Sequence, residues 1–305
     1  NGMLLDLAKA DDELKDVYVE GGVKAYEMPG IDGSYGYPWY LGTDMSWWNI
    51  EELGKFGVSE DSLPTTFDEL YDLAMEAAKQ GGSAPIISSL PEIIITSGDN
   101  GKFNFNTDEN VDFLQKYVEL YKAKAMPVEV LSDNYTGNAQ LYKQEKVLWT
   151  TATSSYPTEL QTDNPGLIEK TVVTKRMGEP PLFVQGIAVS AKSKAPAAAL
   201  AFAKFATNTE NQIAFVKLAQ GFLPGTKEAA ADPSKFAEKS DIELQNKAVE
   251  LAAESMKTAV DPTNVMWTED MKTNMGQQMA LAMRGDISAK EALDAAVKYG
   301  NDQLG

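Results

Sequence analysis

The chain has 305 residues, 43% of them hydrophobic, and carries 45 acidic against 27 basic side chains for a formal charge of −18. That length accommodates two domains, while a negative field of this size repels phosphate backbones and excludes nucleic acid as a partner. Cys and His are absent, which removes Cys and His nucleophiles, His general bases and the usual zinc ligands, and no apolar run approaches the roughly 18 residues of a membrane span.

In chain order, an acidic helical stretch over residues 9–25 leads to turn signals at Met28-Pro29-Gly30-Ile31-Asp32-Gly33. Residues 36–49, Gly-Tyr-Pro-Trp-Tyr-Leu-Gly-Thr-Asp-Met-Ser-Trp-Trp-Asn, read as one extended aromatic segment with three of the five tryptophans. Gly42 within it marks a bulge, a bend or a close backbone approach. A helix follows over 50–57. Thr66 and Glu69 spell a capping box that opens a helix to Gln80. Its apolar positions Phe67, Leu70, Tyr71, Ala74, Ala77 and Ala78 form one stripe, and Gly81-Gly82 stops it. Residues 84–88 and 102–105 read as strands. Thr107 caps a helix carrying Val111, Leu114, Val118 and Tyr121. Residues 139–146 read as helix and 147–152 as strand, before a helix opened by Thr153-Ser154-Ser155-Tyr156-Pro157. Residues 171–173 and 180–190 read as extended. Pro196 starts an Ala-rich helix to Ala206, and the run from Asn208 opens the next. The chain closes with helices over 242–258, 268–284 and 288–299, the middle one striped by Met271, Met275, Met279 and Met283.

On pattern alone the aromatic segment is either a core strand or a domain crossover with Trp39, Tyr40 and Asp44 facing a cleft. Aromatic faces beside a carboxylate suit a sugar, whose C–H face stacks on a ring while its hydroxyls donate to the carboxylate. The segment resembles the first crossover strand of the family 1 extracellular solute-binding proteins, the maltose-binding-protein-like receptors of ABC importers. The pieces that carry this are Gly33-Ser34-Tyr35-Gly36-Tyr37-Pro38, Trp48-Asn49, Phe56-Gly57-Val58 and Pro64-Thr65-Thr66-Phe67-Asp68-Glu69-Leu70. None is specific by itself; the ordered set at this spacing is. Thr209-Glu210-Asn211-Gln212, Gly221-Phe222-Leu223-Pro224 and the closing Gly285 to Leu293 extend the similarity to the whole chain. There are two departures: Val147-Leu148 replaces the usual Ala-Met, and Gln185 replaces the first of two glycines.

The resemblance implies an α/β, two-lobed periplasmic-binding-protein-like fold of type II, with a ligand cleft between lobes joined by hinge crossovers near 40–44, 183–187 and 221–225. The N-terminal lobe would take 1–41 and 187–222, incomplete at its start, and the C-terminal lobe 42–186 and 223–305. It further implies a signal sequence with a lipid-attachment Cys, and an opening β-α-β segment, ahead of Asn1. Ligand contacts would come from Trp39, Tyr40, Asp44 and Trp47 around the first crossover. Others would be Ser154 and Tyr156 at a helix start with free N–H groups, Gln185 and Gly186 at the second crossover, and Trp267 before a long helix.

Core packing is the alternative for every Trp, and strand alternation assigns Trp48 and Trp149 to the core. Trp267 precedes the Thr268 cap and falls off the methionine stripe, so it is expected to stand clear of the core and add little to stability. The function implied is an extracytoplasmic receptor, cell-surface lipoprotein or periplasmic, that captures a neutral oligosaccharide and delivers it to ABC permease subunits. It would act as a monomer, without cofactor, metal or catalysis, and meet the membrane only through its lipid anchor. With only Arg176 and Arg284, an anion clamp is poorly supplied. The alternatives are a receptor for a non-sugar solute and a carbohydrate-active hydrolase, for which no motif singles out a carboxylate pair. Asp99-Asn100-Gly101 and Asp261-Pro262-Thr263-Asn264 lack calcium-loop spacing and read as turns.

Overall fold

The computed structural model describes every residue except 1, 29–30, 83, 99, 132–134, 237–238, 262–265 and 305. The expected turns at Pro29-Gly30, at Asp99 and at Pro262 to Asn264 therefore involve positions outside the described residues. In chain order the helices are α1 (Leu7–Ala10), α2 (Leu14–Val17), α3 (Glu20–Lys24), α4 (Ile50–Gly54), α5 (Phe67–Gln80), α6 (Asp108–Lys122), α7 (Tyr135–Lys143), α8 (Tyr156–Asp163), α9 (Pro196–Ala206), α10 (Thr209–Leu218), α11 (Lys227–Ala230), α12 (Glu243–Ser255), α13 (Glu269–Arg284) and α14 (Ala289–Leu304). The strands are β1 (Tyr37–Gly42), β2 (Asp44–Asn49), β3 (Trp149–Thr153), β4 (Thr171–Lys175), β5 (Phe183–Ile187) and β6 (Leu223–Pro224).

Local chemistry accounts for several helix starts. Thr66, Thr107, Asn208 and Thr268 each accept an N–H of the first turn on their side-chain oxygen, satisfying one of the free donors. Glu69 completes the capping box of α5. The expected helix over 9–25 is instead three short ones, α1 to α3. The third contains Gly21-Gly22, a costly pair in a helix interior.

The chain forms two compact units: residues 1–45, 152–162 and 173–261, and residues 46–151, 163–172 and 262–305. This division differs from the expected lobes, which placed 42–45, 152–162, 173–186 and 223–261 with the second. Pairing is the physical reason. In the first unit β5, β1 and β6 form one antiparallel sheet in that order, so β6 is tied to β1, and Tyr18 bridges Thr226 two residues after it. Val260 pairs with Pro181 and accepts from Leu182 N–H at 2.7 Å, which holds the segment after α12. The passages near 183–187 and 221–225, expected to be crossovers, thus stay inside one unit as β5 and β6. The chain passes from one unit to the other after Met45, Thr151, Thr162, Val172 and Asp261, and a second sheet has the order β3-β2-β4.

The first unit buries Leu41, Leu182, Val216, Leu223 and Phe236 around β1 and α10, and Leu7, Leu14, Tyr18, Val23, Tyr37, Val189 and Ala203 around α1 to α3 and α9. Beside the second cluster lies a polar network. Tyr37 donates to Asp11 Oδ2 at 2.8 Å, Lys204 Nζ donates to Asp11 Oδ1 at 2.9 Å, and Tyr18 meets Thr207 at 2.6 Å. Burial first, then the neighbouring Asp11 carboxylate, pushes the Tyr37 hydroxyl well above the usual phenol range, so it stays a neutral donor.

In the second unit the methionine stripe is buried as the spacing predicts, at Met271, Met275, Met279 and Met283. Phe67 of α5 stacks on Tyr117 of α6 at 5.1 Å, and Trp48 packs on Trp149 at 5.9 Å, the core position expected of both. Segment 84–88 is not a regular strand, although Pro85 and Ile86 carbonyls accept from Leu148 and Trp149. Segment 102–105 is held instead by Asn301, which accepts from Phe103 N–H at 2.8 Å and donates to its carbonyl at 3.0 Å.

Candidate functional site

The first unit presents an aromatic face, and a register fault in β1 creates it. Pro38 pairs with Gly186 and Tyr40 with Gln185, so Trp39 is an extra residue in β1 with no partner in β5. Adjacent strand residues normally point to opposite faces. A bulge re-aims the side chains, and here Trp39 and Tyr40 both reach Phe215 of α10, with centroids 4.8 and 4.9 Å away. Tyr40 also packs on Phe222 at 4.7 Å, and Trp39 meets Tyr40 edge-on at 5.2 Å. All four rings are half-buried: they pack on one another and keep accessible edges. The bulge falls at Trp39, not at Gly42, where β1 simply ends.

Tyr26 packs closely against the same strands. The ring of Tyr26 lies so close over Gly186 that a Cβ there would come within 2.6 Å of its Cζ, and it covers Gly36 as tightly. Its hydroxyl donates to Val184 O at 3.3 Å. Burial, and then the Asp261 carboxylate, raises the Tyr26 hydroxyl above its ordinary range, so it remains a donor. Gly186 is thereby required for packing, while its neighbour Gln185 is exposed.

The expected polar contacts are occupied within the protein. Asp44 is fully buried, and Arg176 Nη1 donates to its Oδ2 at 3.3 Å. The aromatic-plus-carboxylate arrangement read from the sequence is therefore not assembled, because Asp44 is engaged with the guanidinium. Ser154 is buried and donates through Oγ to Gly221 O at 2.5 Å, while its carbonyl accepts from buried Gln245 at 2.6 Å. Tyr156, at the start of α8, and Trp47, in β2, are also buried.

Trp267 is half-buried rather than clear of packing. Its indole stands edge-on to Phe103 at 5.0 Å and to Phe105 at 5.1 Å, and a Cβ on Gly300 would lie 2.8 Å from its ring. Lying off the methionine stripe did not free it, because 102–105 and α14 supply another wall. Of the residues singled out from the sequence, Trp39, Tyr40, Gln185, Gly186 and Trp267 keep accessible surface, and Asp44, Trp47, Ser154 and Tyr156 keep almost none. Phe215, Phe222 and Arg176 were not singled out as site residues. Arg176 carried a sequence signal as one of two arginines, and Phe222 as part of Gly221-Phe222-Leu223-Pro224; Phe215 carried none. Among the described residues no group of three or more acidic side chains is placed to hold a metal ion.

Solved structures share this fold. One is a candidate oligosaccharide periplasmic-binding protein from Synechococcus sp. MITs9220 in complex with zinc, at TM-score 0.88 and 22% identity, covering 99% of this chain and 80% of that one. A second is an ABC substrate-binding protein from Listeria monocytogenes in complex with cycloalternan, at TM-score 0.75 and 20% identity, covering 100% and 81%. A third is maltose-bound MalE3 of T. maritima, at TM-score 0.73 and 18% identity, covering 98% and 80%. The fold is accordingly that of the two-lobed periplasmic binding proteins, as expected. No curated protein sequence matches the chain. The family described as "Bacterial extracellular solute-binding protein" matches residues 1–243, and the chain belongs to it.

Proposed function

We propose that this protein is an extracytoplasmic receptor that captures a neutral oligosaccharide and passes it unchanged to the permease subunits of an ABC importer. The observation that carries the reading is the face of Trp39 and Tyr40 backed by Phe215 and Phe222. Half-buried aromatic rings that keep accessible surface suit the C–H side of a pyranose, and exposed Gln185 on the paired strand offers both a donor and acceptors for hydroxyls. Family membership supports a solute receptor, and the maltose and cycloalternan bound by two neighbours support a sugar.

Neutrality follows from charge. The protein carries −18 overall, and both arginines face carboxylates, Arg176 on Asp44 at 3.3 Å and Arg284 on Asp286 at 3.0 Å. The two compact units are taken as the two lobes, in place of the division read from sequence. Trp39, Tyr40, Gln185 and Trp267 are assigned as ligand contacts. Gly186, with buried Asp44, Trp47, Ser154 and Tyr156, acts by holding the backbone around them. The receptor works as a monomer, as a cell-surface lipoprotein or in the periplasm, and breaks no bond.

A thermal-shift panel of neutral mono- and oligosaccharides, with sugar phosphates alongside, tests this. A ligand at 100 times its Kd adds about 2.7 kcal/mol. Trp39→Ala should then weaken the best sugar roughly 10- to 100-fold, the loss of one stacking partner. No shift with any sugar, or preference for a sugar phosphate, refutes the reading. Hydrolysis of a labelled oligosaccharide makes the protein an enzyme instead.

A further inference from the structure

The bulge at Trp39 interrupts the β1 ladder, and one side chain occupies the gap. β1 meets β6 through Tyr40 opposite Pro224 and Leu41 opposite Leu223. Continued in the antiparallel sense, the next residue opposite Gly225 is Trp39, the extra residue of the bulge. There the carboxamide of Gln212, from α10, stands between the two backbones. Gly225 N–H donates to its Oε1 at 2.5 Å, and its Nε2 donates to Pro38 O at 2.9 Å and to Thr207 O at 2.6 Å. Gln212 has no exposed surface. Its acceptor and both donors are spent on main chain. The passage it spans is tight: a Cβ on Gly225 would lie 3.0 Å from Pro38 Cβ.

We propose that Gln212 is the positioning residue of the aromatic face. Its carboxamide acts as a surrogate peptide group in the β1–β6 ladder, holds the bulge over Pro38 to Tyr40, and so keeps Trp39 and Tyr40 together on the side of Phe215. Without it the backbone recovers regular pairing only by expelling the bulge. A slip of one residue turns the side chain to the other face of a strand, which would part Trp39 from Tyr40 and Phe215. Leucine at this position leaves two carbonyls and one N–H without their partner. Glutamate still accepts from Gly225 N–H, but as a carboxylate it donates to neither carbonyl and places a charge against both.

The consequence for binding rests on the sugar-receptor reading; the geometric claim does not. The test therefore has two readouts on the full chain. The first is the near-UV circular dichroism of Trp39 itself, obtained as the difference between a protein and its Trp39→Phe counterpart, at a temperature where far-UV signal is native. Gln212→Leu and Gln212→Glu should abolish or invert this difference while the corresponding Trp267→Phe difference is unchanged. A merely structural glutamine would lower the melting temperature and leave the Trp39 difference intact, and that result overturns the proposal. If Gln212→Leu and Gln212→Glu fail to fold, Gln212→Asn, one methylene short, is judged by the same two outcomes. The second readout is affinity for maltotetraose, expected to fall at least tenfold in Gln212→Glu. A lost Trp39 signal with unchanged affinity, or with no affinity in the wild type either, upholds the positioning role and refutes this face as the site for that sugar.

Discussion

Gly221→Ala puts the packing of the turn before β6 on the start of α8 under direct test. Gly221 has φ near 102°, a region that costs an L-residue about 1–3 kcal/mol. A Cβ there would lie 2.6 Å from Ser155 Cα and 2.7 Å from its Cβ. Those are backbone and first side-chain atoms, so the turn itself must withdraw. Withdrawal breaks the 2.5 Å bond from Ser154 Oγ to Gly221 O, and stranding a buried hydroxyl and carbonyl adds about 1–2 kcal/mol. The total is about 2–5 kcal/mol, which urea titration should show as a lower midpoint at constant slope. Ser154→Ala, which removes the hydroxyl without backbone strain, should cost only about 1–2 kcal/mol. A Gly221→Ala protein within about 1 kcal/mol of wild type would refute the reasoning. A Ser154→Ala protein of undiminished stability but weakened sugar affinity would return that hydroxyl to the ligand.

Three further outcomes follow from the packing. Trp267→Ala should cost about 2–3 kcal/mol without ligand, because the indole is wedged against Phe103, Phe105 and Gly300; an unchanged melting temperature would restore the exposed Trp expected from sequence. Arg176→Met should cost about 3 kcal/mol by taking the guanidinium from the buried Asp44 carboxylate, and adding Asp44→Asn should recover much of it in a double-mutant cycle. Burial pushes the Asp11 carboxyl up, but Lys204, Tyr37 and the Glu13 N–H outweigh it and hold it below its ordinary value. A depressed folded-state value means that Asp11 stabilises above the unfolded pKa of about 3.9 and loses that contribution as pH falls through the folded one. Acid titration of Asp11→Asn should therefore show lower stability at neutral pH and a shallower decline below about pH 4; parallel curves would exclude the linkage.

What the sequence determined is what acts over a few residues. The Thr66, Thr107 and Thr268 caps, the stop at Gly81 and the methionine stripe of α13 are set by side chains reaching the adjacent turn, and all were legible. Family and fold class were legible too, because an ordered set of short motifs survives when no single one is specific. What only the tertiary structure decided depends on residues far apart in the chain. Strand periodicity assigns Trp39 and Tyr40 to opposite faces. They share one because Gln212, more than 170 positions away, sits in the ladder beside them. Asp44 reads as a free carboxylate until β4 brings Arg176 to it from 132 positions on. Trp267 reads as unpacked until Phe103 and α14 close over its ring. Hydrogen bonds and ring contacts between distant segments leave no period in the sequence, and they settle which polar groups are spent internally and which surface is left for a ligand.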